Sequence, residues 1–169
     1  MPITRMNHAV LYVRDARRSA AWYQEVLGFS VVVDDELGRF AFLRAPASEN
    51  HHDIAFFSIG DAAGPSEAGR RTVGLYHIAW EVPTLAELEE MRVRLEKVGA
   101  LVGASDHAVN KSLYAADPDG LEFEVMWLTP AAHWGAEEHE AIIRPLDIAA
   151  DRERYETESD DLATAGDAT

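Results

Sequence analysis

Two histidines and a glutamate recur at matching places of a repeated pattern, and together they have the makeup of a divalent-metal site. His8 lies in Asn7-His8-Ala9-Val10-Leu11-Tyr12-Val13, His77 in Tyr76-His77-Ile78-Ala79-Trp80-Glu81-Val82, and Glu124 in Leu121-Glu122-Phe123-Glu124-Val125-Met126-Trp127. Two imidazoles and one carboxylate on one face of an ion form the triad that leaves part of an iron(II) coordination sphere open to substrate and oxygen. A lone histidine in an apolar strand is more often a core residue with a satisfied hydrogen bond. The correspondence of His8 with His77 is what favours ligation. Glu122 and Glu124 alternate onto the same strand face, so spacing alone does not choose between them. The chain has no cysteine, which excludes disulfides, thiolate ligands and cysteine nucleophiles and leaves His, Asp and Glu as donors.

Presenting such groups requires strands whose positions are fixed by helices and turns. The residues from His8 to Val13 alternate like a strand buried on both faces. Asp15 can cap a helix whose Ala16, Ala20, Tyr23 and Leu27 recur at helical spacing, and Gly28 suits the left-handed position after it. Strands are expected near Ser30 to Val33, Phe40 to Arg44 and His52 to Ile59. The order then returns. Tyr76 to Val82 reads as a strand, and Thr84 with Glu87 has capping-box spacing. Leu88, Met91, Leu95 and Val98 make an apolar stripe that ends at Gly99. Strands follow near Leu101 to Ala104, Lys111 to Ala116 and Leu121 to Leu128. The Asp117-Pro118-Asp119-Gly120 turn between the last two marks a hairpin, with Pro presetting φ and Gly relieving crowding.

The expected class is α+β, with a βαβββ module occurring twice. Residues 1–60 form the first module, 61–74 a Gly/Pro/Ser-containing linker and 75–129 the second module. Residues 130–149 form an extension whose Trp134, Ile142, Ile143, Leu146 and Ile148 can lie against the body, and 150–169 an acidic mobile tail with no assigned chemistry.

With 169 residues, 47% of them apolar, the chain can build a sizeable core and has no run of membrane-spanning length. The net charge of −15 disfavours nucleic acid and anionic membranes as partners, because both demand a positive field. From Pro130 onward eleven acidic residues stand against three basic ones, so much of that charge belongs to the C-terminal region. The opening Met1 to Met6 has no secretory pattern, and a cytoplasmic location is expected. Assembly into a homo-oligomer is compatible with the sequence.

The paired His-containing strands, the helix end at Leu27-Gly28-Phe29 and the acidic turn starting seven residues before Glu124 together resemble the vicinal oxygen chelate superfamily, over approximately Ile3 to Leu128. Within it, His52-Asp53-Ile54-Ala55-Phe56, and Asp106-His107-Ala108-Val109 with Tyr114, look like two-module relatives of the type I extradiol catechol dioxygenases. The resemblance implies curved mixed sheets from paired modules around a central metal cleft, with His8, His77 and Glu124 as ligands. The preference for Glu124 over Glu122 rests on it. It further implies Fe(II), a catechol-like diol bound through both oxygens, dioxygen as co-substrate and ring opening beside the hydroxyls. Ligand identity alone also admits Mn(II), Zn(II) or Ni(II).

By the same match, His52 is the base that takes a proton from the diol, a task suited to an imidazole titrating near neutral pH. His107 and Tyr114 flank the substrate oxygens, as proton shuttle and phenolic hydrogen-bond partner. Neighbouring His51 receives no role. Larger extradiol enzymes carry a second, non-catalytic pair of modules, and their spacing from His to Tyr is longer than from His107 to Tyr114. A glyoxalase-like lyase or isomerase is the main alternative. It would call for a carboxylate in the last strand of the first module, where this chain offers His52. A non-catalytic binding or resistance protein would lack the triad.

Overall fold

The computed structural model describes residues 2–68 and 71–155. Most of the expected tail, and Gly69 and Arg70 of the expected linker, lie outside them. The chain divides into two compact units, one built on residues up to Tyr76 together with Ala116–Glu122, the other on His77–Ala115 together with the chain from Phe123. The fold is α+β, with one four-stranded mixed sheet in each repeat. No helix among the described residues is long and apolar enough to cross a membrane.

In the first repeat β1 (Ala9–Val13) leads into α1 (Ala16–Leu27), β2 (Ser30–Asp34), β3 (Phe40–Arg44) and β4 (Ile54–Ser58), with sheet order β1-β4-β3-β2. β1 runs parallel to β4, and β3 antiparallel to β4 and β2. A parallel pair needs a crossover, which α1 begins. The helix starts where the Asp15 carboxylate accepts the Arg17 and Arg18 N–H groups and ends at Gly28, whose φ of 77° is left-handed. Its buried Ala16, Ala20, Tyr23 and Leu27 form the stripe expected from sequence. Tyr23 stacks edge-on against Phe56 of β4 at 4.9 Å, and burial, with the Asp117 charge nearby, pushes its phenol far above the ordinary tyrosine range. The expectation that β1 is buried on both faces is corrected. Val10 and Tyr12 are 53% and 73% exposed, whereas Ala9, Leu11 and Val13, which alternate onto the other face, are partly or fully buried.

The second repeat contains β5 (Ile78–Glu81), α2 (Leu85–Lys97), β6 (Leu101–Asp106), β7 (Asn110–Ala116) and β8 (Glu122–Leu128), ordered β5-β8-β7-β6. Thr84 caps α2 by accepting the Glu87 N–H, while the Glu87 carboxylate accepts the Thr84 hydroxyl rather than its backbone N–H. Leu88 and Leu95 are buried. Val98, expected on the same stripe, is 45% exposed because it is the cap residue, and Ala100 after Gly99 turns inward instead.

After β8 the chain makes two short 3₁₀ turns and pairs Asp106 with Arg144 at the edge of β6. A helix (α3) then begins at residue 148 and is described through 155, which corrects the expectation of a mobile tail for residues 150–155. Its anchors are specific. Ile148 is buried, Tyr155 lies 5.3 Å from Trp127, and Asp151 reaches the ammonium of Lys111, which is 2% exposed and also bonded to Asp106 at 2.5 Å. A lysine this deep is tolerable only when paired.

Candidate metal centre

Sheet alternation sorts the functional side chains. In the second unit, β5 and β8 run parallel with Ala79 opposite Glu124, so His77, one residue before β5, comes to the same end of the sheet as that carboxylate. Nε2 of His77 lies 3.1 Å from Oε2 of Glu124. Two donors each about 2.1 Å from one ion and at right angles to each other are separated by about 3.0 Å, so this pair has the spacing of adjacent ligands. Glu124 is 7% exposed, and its other oxygen, Oε1, accepts the Asn110 amide N–H at 3.4 Å.

β7 presents Asn110, Ser112 and Tyr114 on one face. Asn110 Nδ2 also donates to Ser112 Oγ at 2.6 Å, and the Tyr114 ring stands edge-on to His77 with centroids 5.8 Å apart. His107, in the turn before β7, has Nε2 2.8 Å from the Tyr114 hydroxyl and Nδ1 2.6 Å from the Ile142 carbonyl. Glu124, His77, Tyr114 and His107 are therefore successive neighbours along one face of this unit.

The first unit holds His8 and His52. His8 precedes β1 and His52 precedes β4, two strands in parallel register, and the rings come within 4.4 Å. The amide of Asn7, whose Nδ2 is directed to Asn50 Oδ1, turns its Oδ1 to His8 Nδ1 at 2.9 Å. Nδ1–H then donates, and the Nε2 lone pair of His8 is left for a ligand role. His52 stacks on Phe42 at 5.0 Å and meets His51 at 3.1 Å between their Nδ1 atoms. Burial lowers its pKa, with the His8 and His51 rings adding to the effect and Asp53 opposing it, a shift that favours the neutral, proton-accepting form of His52. Phe42 packs with Phe40 and Phe57 at 5.4 and 6.1 Å, an aromatic surface that continues from His52.

Of the six residues singled out by sequence, four thus adjoin one another in the second unit and two in the first. Within neither unit do three His, Asp or Glu side chains among the described residues close on one point as a ready metal group. The register also corrects one expectation. The counterpart of Glu124 in the first unit is Ala55, paired with Val10 as Glu124 is with Ala79, whereas His52 lies ahead of the strand. Sequence reasoning missed Asn110, which period-two alternation with Tyr114 could have flagged. It also missed the Ile142 carbonyl, which no side-chain pattern announces.

A family model described as the glyoxalase/bleomycin resistance protein/dioxygenase superfamily matches residues 5–125. The chain is 34% identical over 122 residues to a biphenyl-2,3-diol 1,2-dioxygenase 3 of Rhodococcus globerulus, covering 72% of this chain and 62% of that protein. It is 31% identical over 131 residues to a catechol-2,3-dioxygenase of Bacillus subtilis (strain 168), covering 78% of this chain and 44% of that protein. The chain spans about half the length of the curated relatives it matches. A crystal structure of a glyoxylase/bleomycin resistance protein/dioxygenase domain from Frankia sp. EAN1pec shares the fold, with a TM-score of 0.65 and 24% identity over 78% of this chain and 98% of that one.

Proposed function

The chain belongs to the glyoxalase/bleomycin resistance protein/dioxygenase superfamily, and from that premise we propose that it is an extradiol ring-cleaving dioxygenase of catechol-like diols, with His8, His77 and Glu124 holding Fe(II). The observation that carries the reading is the His77–Glu124 donor pair at 3.1 Å, in a chain whose relatives carry the names of diol dioxygenases. When bound, the metal supplies the positive charge that favours a deprotonated diol and the redox chemistry that engages dioxygen.

The chain's own residues do the rest. His52, its pKa lowered, takes a proton from one diol hydroxyl. Tyr114 holds the other oxygen through its phenol, and His107 behind it supports that phenol. Asn110 steadies the free oxygen of Glu124. Phe40, Phe42 and Phe57 offer an apolar surface for the ring and keep water from it. Ala55 argues against a glyoxalase-like site, since a carboxylate at the position equivalent to Glu124 is missing from the first unit.

Anaerobic loading with Fe(II), followed by oxygen uptake over a panel of monocyclic and biphenyl diols, tests the proposal. Stoichiometric oxygen consumption with a coloured ring-opened product is expected. Conversion of a methylglyoxal–thiol adduct without oxygen uptake, or tight ligand binding with no turnover, would replace it with the lyase or the binding-protein reading.

A further inference from the structure

The turn that carries His107 is built at a cost. Ala108 has a φ of 67°, and the Val109 N–H returns to the His107 carbonyl two residues back, a tight turn that side chains with a Cβ resist. Two side chains hold it there. Asp106 Oδ1 accepts the Ala108 N–H at 2.7 Å and Thr129 Oγ1 donates to the Ala108 carbonyl at 2.9 Å. Strain of this kind persists where the surrounding structure fixes a position, and here the position fixed is that of the His107 ring.

That ring sits between two oxygens of different kinds. A carbonyl can only accept, so the nitrogen 2.6 Å from Ile142 must carry a hydrogen. In the neutral ring Nε2 is then the acceptor, and the Tyr114 hydroxyl at 2.8 Å must donate to it. The carbonyl of Ile142 is held in place nearby. Asp106 and Arg144 exchange both backbone hydrogen bonds at 2.9 Å each, which docks residues 141–144 on the open edge of β6.

We propose that residues 141–144 act as a positioning strap: through the Ile142 carbonyl they fix His107 as the Nδ1–H tautomer, which makes Nε2 the acceptor for the Tyr114 proton and turns the Tyr114 oxygen lone pairs to the substrate. The tautomer follows from the hydrogen-bond geometry alone; the turn of the Tyr114 oxygen toward substrate rests on the proposed function.

Long-range proton–nitrogen correlation NMR on the full ¹⁵N-labelled chain, prepared without iron, reads imidazole tautomers directly. His107 is expected to show a protonated Nδ1 and a bare Nε2, and the Nε2–H pattern would overturn the inference. Tyr114→Phe removes the donor to Nε2 and should leave the pattern unchanged; a switch to Nε2–H would mean that Tyr114 sets the tautomer and would also overturn it. Arg144→Pro deletes the N–H that pairs with Asp106, and the Nδ1–H pattern should be lost or averaged. Its full retention in a folded Arg144→Pro protein would remove the strap from the account, and if that variant does not fold, the wild-type and Tyr114→Phe spectra decide. None of these readouts needs ring cleavage. An inactive chain with the expected pattern therefore defeats the dioxygenase reading alone, and an active chain with the Nε2–H pattern defeats this inference alone.

Discussion

In the first unit Ala9 pairs with Ile54 across the parallel strands β1 and β4, and in the second Ile78 pairs with Phe123 across β5 and β8. Residue for residue, His8 then answers to His77, Ala55 to Glu124 and His52 to Leu121. The antiparallel pairs agree, each with a register shift near the start of the strand after the helix, and that shift makes Phe42 the counterpart of Tyr114. One backbone plan therefore carries two chemistries. The first unit offers an imidazole, a second imidazole of lowered pKa and an aromatic surface. The second offers an imidazole, a carboxylate and a phenol. In the proposed centre a single carboxylate would leave Fe(II) with a net positive charge, which would favour an anionic diol. Divergence of side chains on a duplicated register gives the second unit a carboxylate at a position where the first has a methyl group.

The comparison breaks most sharply if only one unit holds the metal. Glu124→Ala and His8→Ala are each expected to abolish stoichiometric metal binding, since an open site with two remaining donors holds a divalent ion weakly. Metal content after desalting, measured by mass spectrometry, is the check. If His8→Ala retains metal like the wild type while Glu124→Ala does not, the first unit contributes no ligand and the proposed triad is wrong.

His52→Ala sharpens the division of labour. Metal content should be unchanged, while oxygen uptake with catechol falls by roughly 10²- to 10⁴-fold, the usual contribution of a general base. Normal turnover in this variant would leave this histidine of the first unit without a catalytic part.

The local grammar of the sequence carries much of this architecture. Asp15, Gly28, Thr84 and Asp117 act through bonds to neighbours in sequence, and each caps or turns the chain where its type and spacing led one to expect. What escaped depends on distant partners. Whether Tyr12 is covered depends on what packs on its face of the sheet, and Lys111 is buried where Asp106 and Asp151 meet it from two other segments. Residues 150–155 read as tail by composition because Ile148, Asp151 and Tyr155 find partners that no window of sequence contains. The site divides the same way. Matching pattern positions marked His8 and His77, but the choice of Glu124 over Glu122 needed more than alternation, and the carbonyl facing His107 belongs to a residue 35 positions away.

The acidic turn that the second repeat contributes is held in the first unit. Asp119 accepts the Arg14 backbone N–H at 2.8 Å and its guanidinium at 2.9 Å, with Arg18 at 2.5 Å. Burial raises its pKa, but the bonds from Arg14 and the charges of Arg18 and Arg14 outweigh burial and the net shift is downward. A carboxylate lowered in the folded state adds stability that is present above its unfolded value and is lost as pH falls through the folded one. Asp119→Ala should therefore cost about 2–3 kcal/mol near neutral pH, the scale of charge-assisted hydrogen bonds, and flatten the acid side of a stability profile taken by urea unfolding. An acid limb as steep as in the wild type would place the linkage elsewhere.

The smallest effect distinguishes the two turns that follow the second strand of each repeat. Between β2 and β3 the positive φ of 72° falls on Gly38, where it is free of strain, whereas between β6 and β7 the φ of 67° falls on Ala108. A left-handed alanine costs about 1–2 kcal/mol, and glycine returns about 0.5–1 kcal/mol of that through the entropy of the unfolded chain. Ala108→Gly is accordingly expected to raise stability by no more than about 1 kcal/mol, measured by the urea midpoint, with oxygen uptake held or reduced as the His107 turn gains freedom. A loss of more than about 1 kcal/mol would mean that the Ala108 methyl is valued for packing, and the second unit would then be no more strained at this turn than the first.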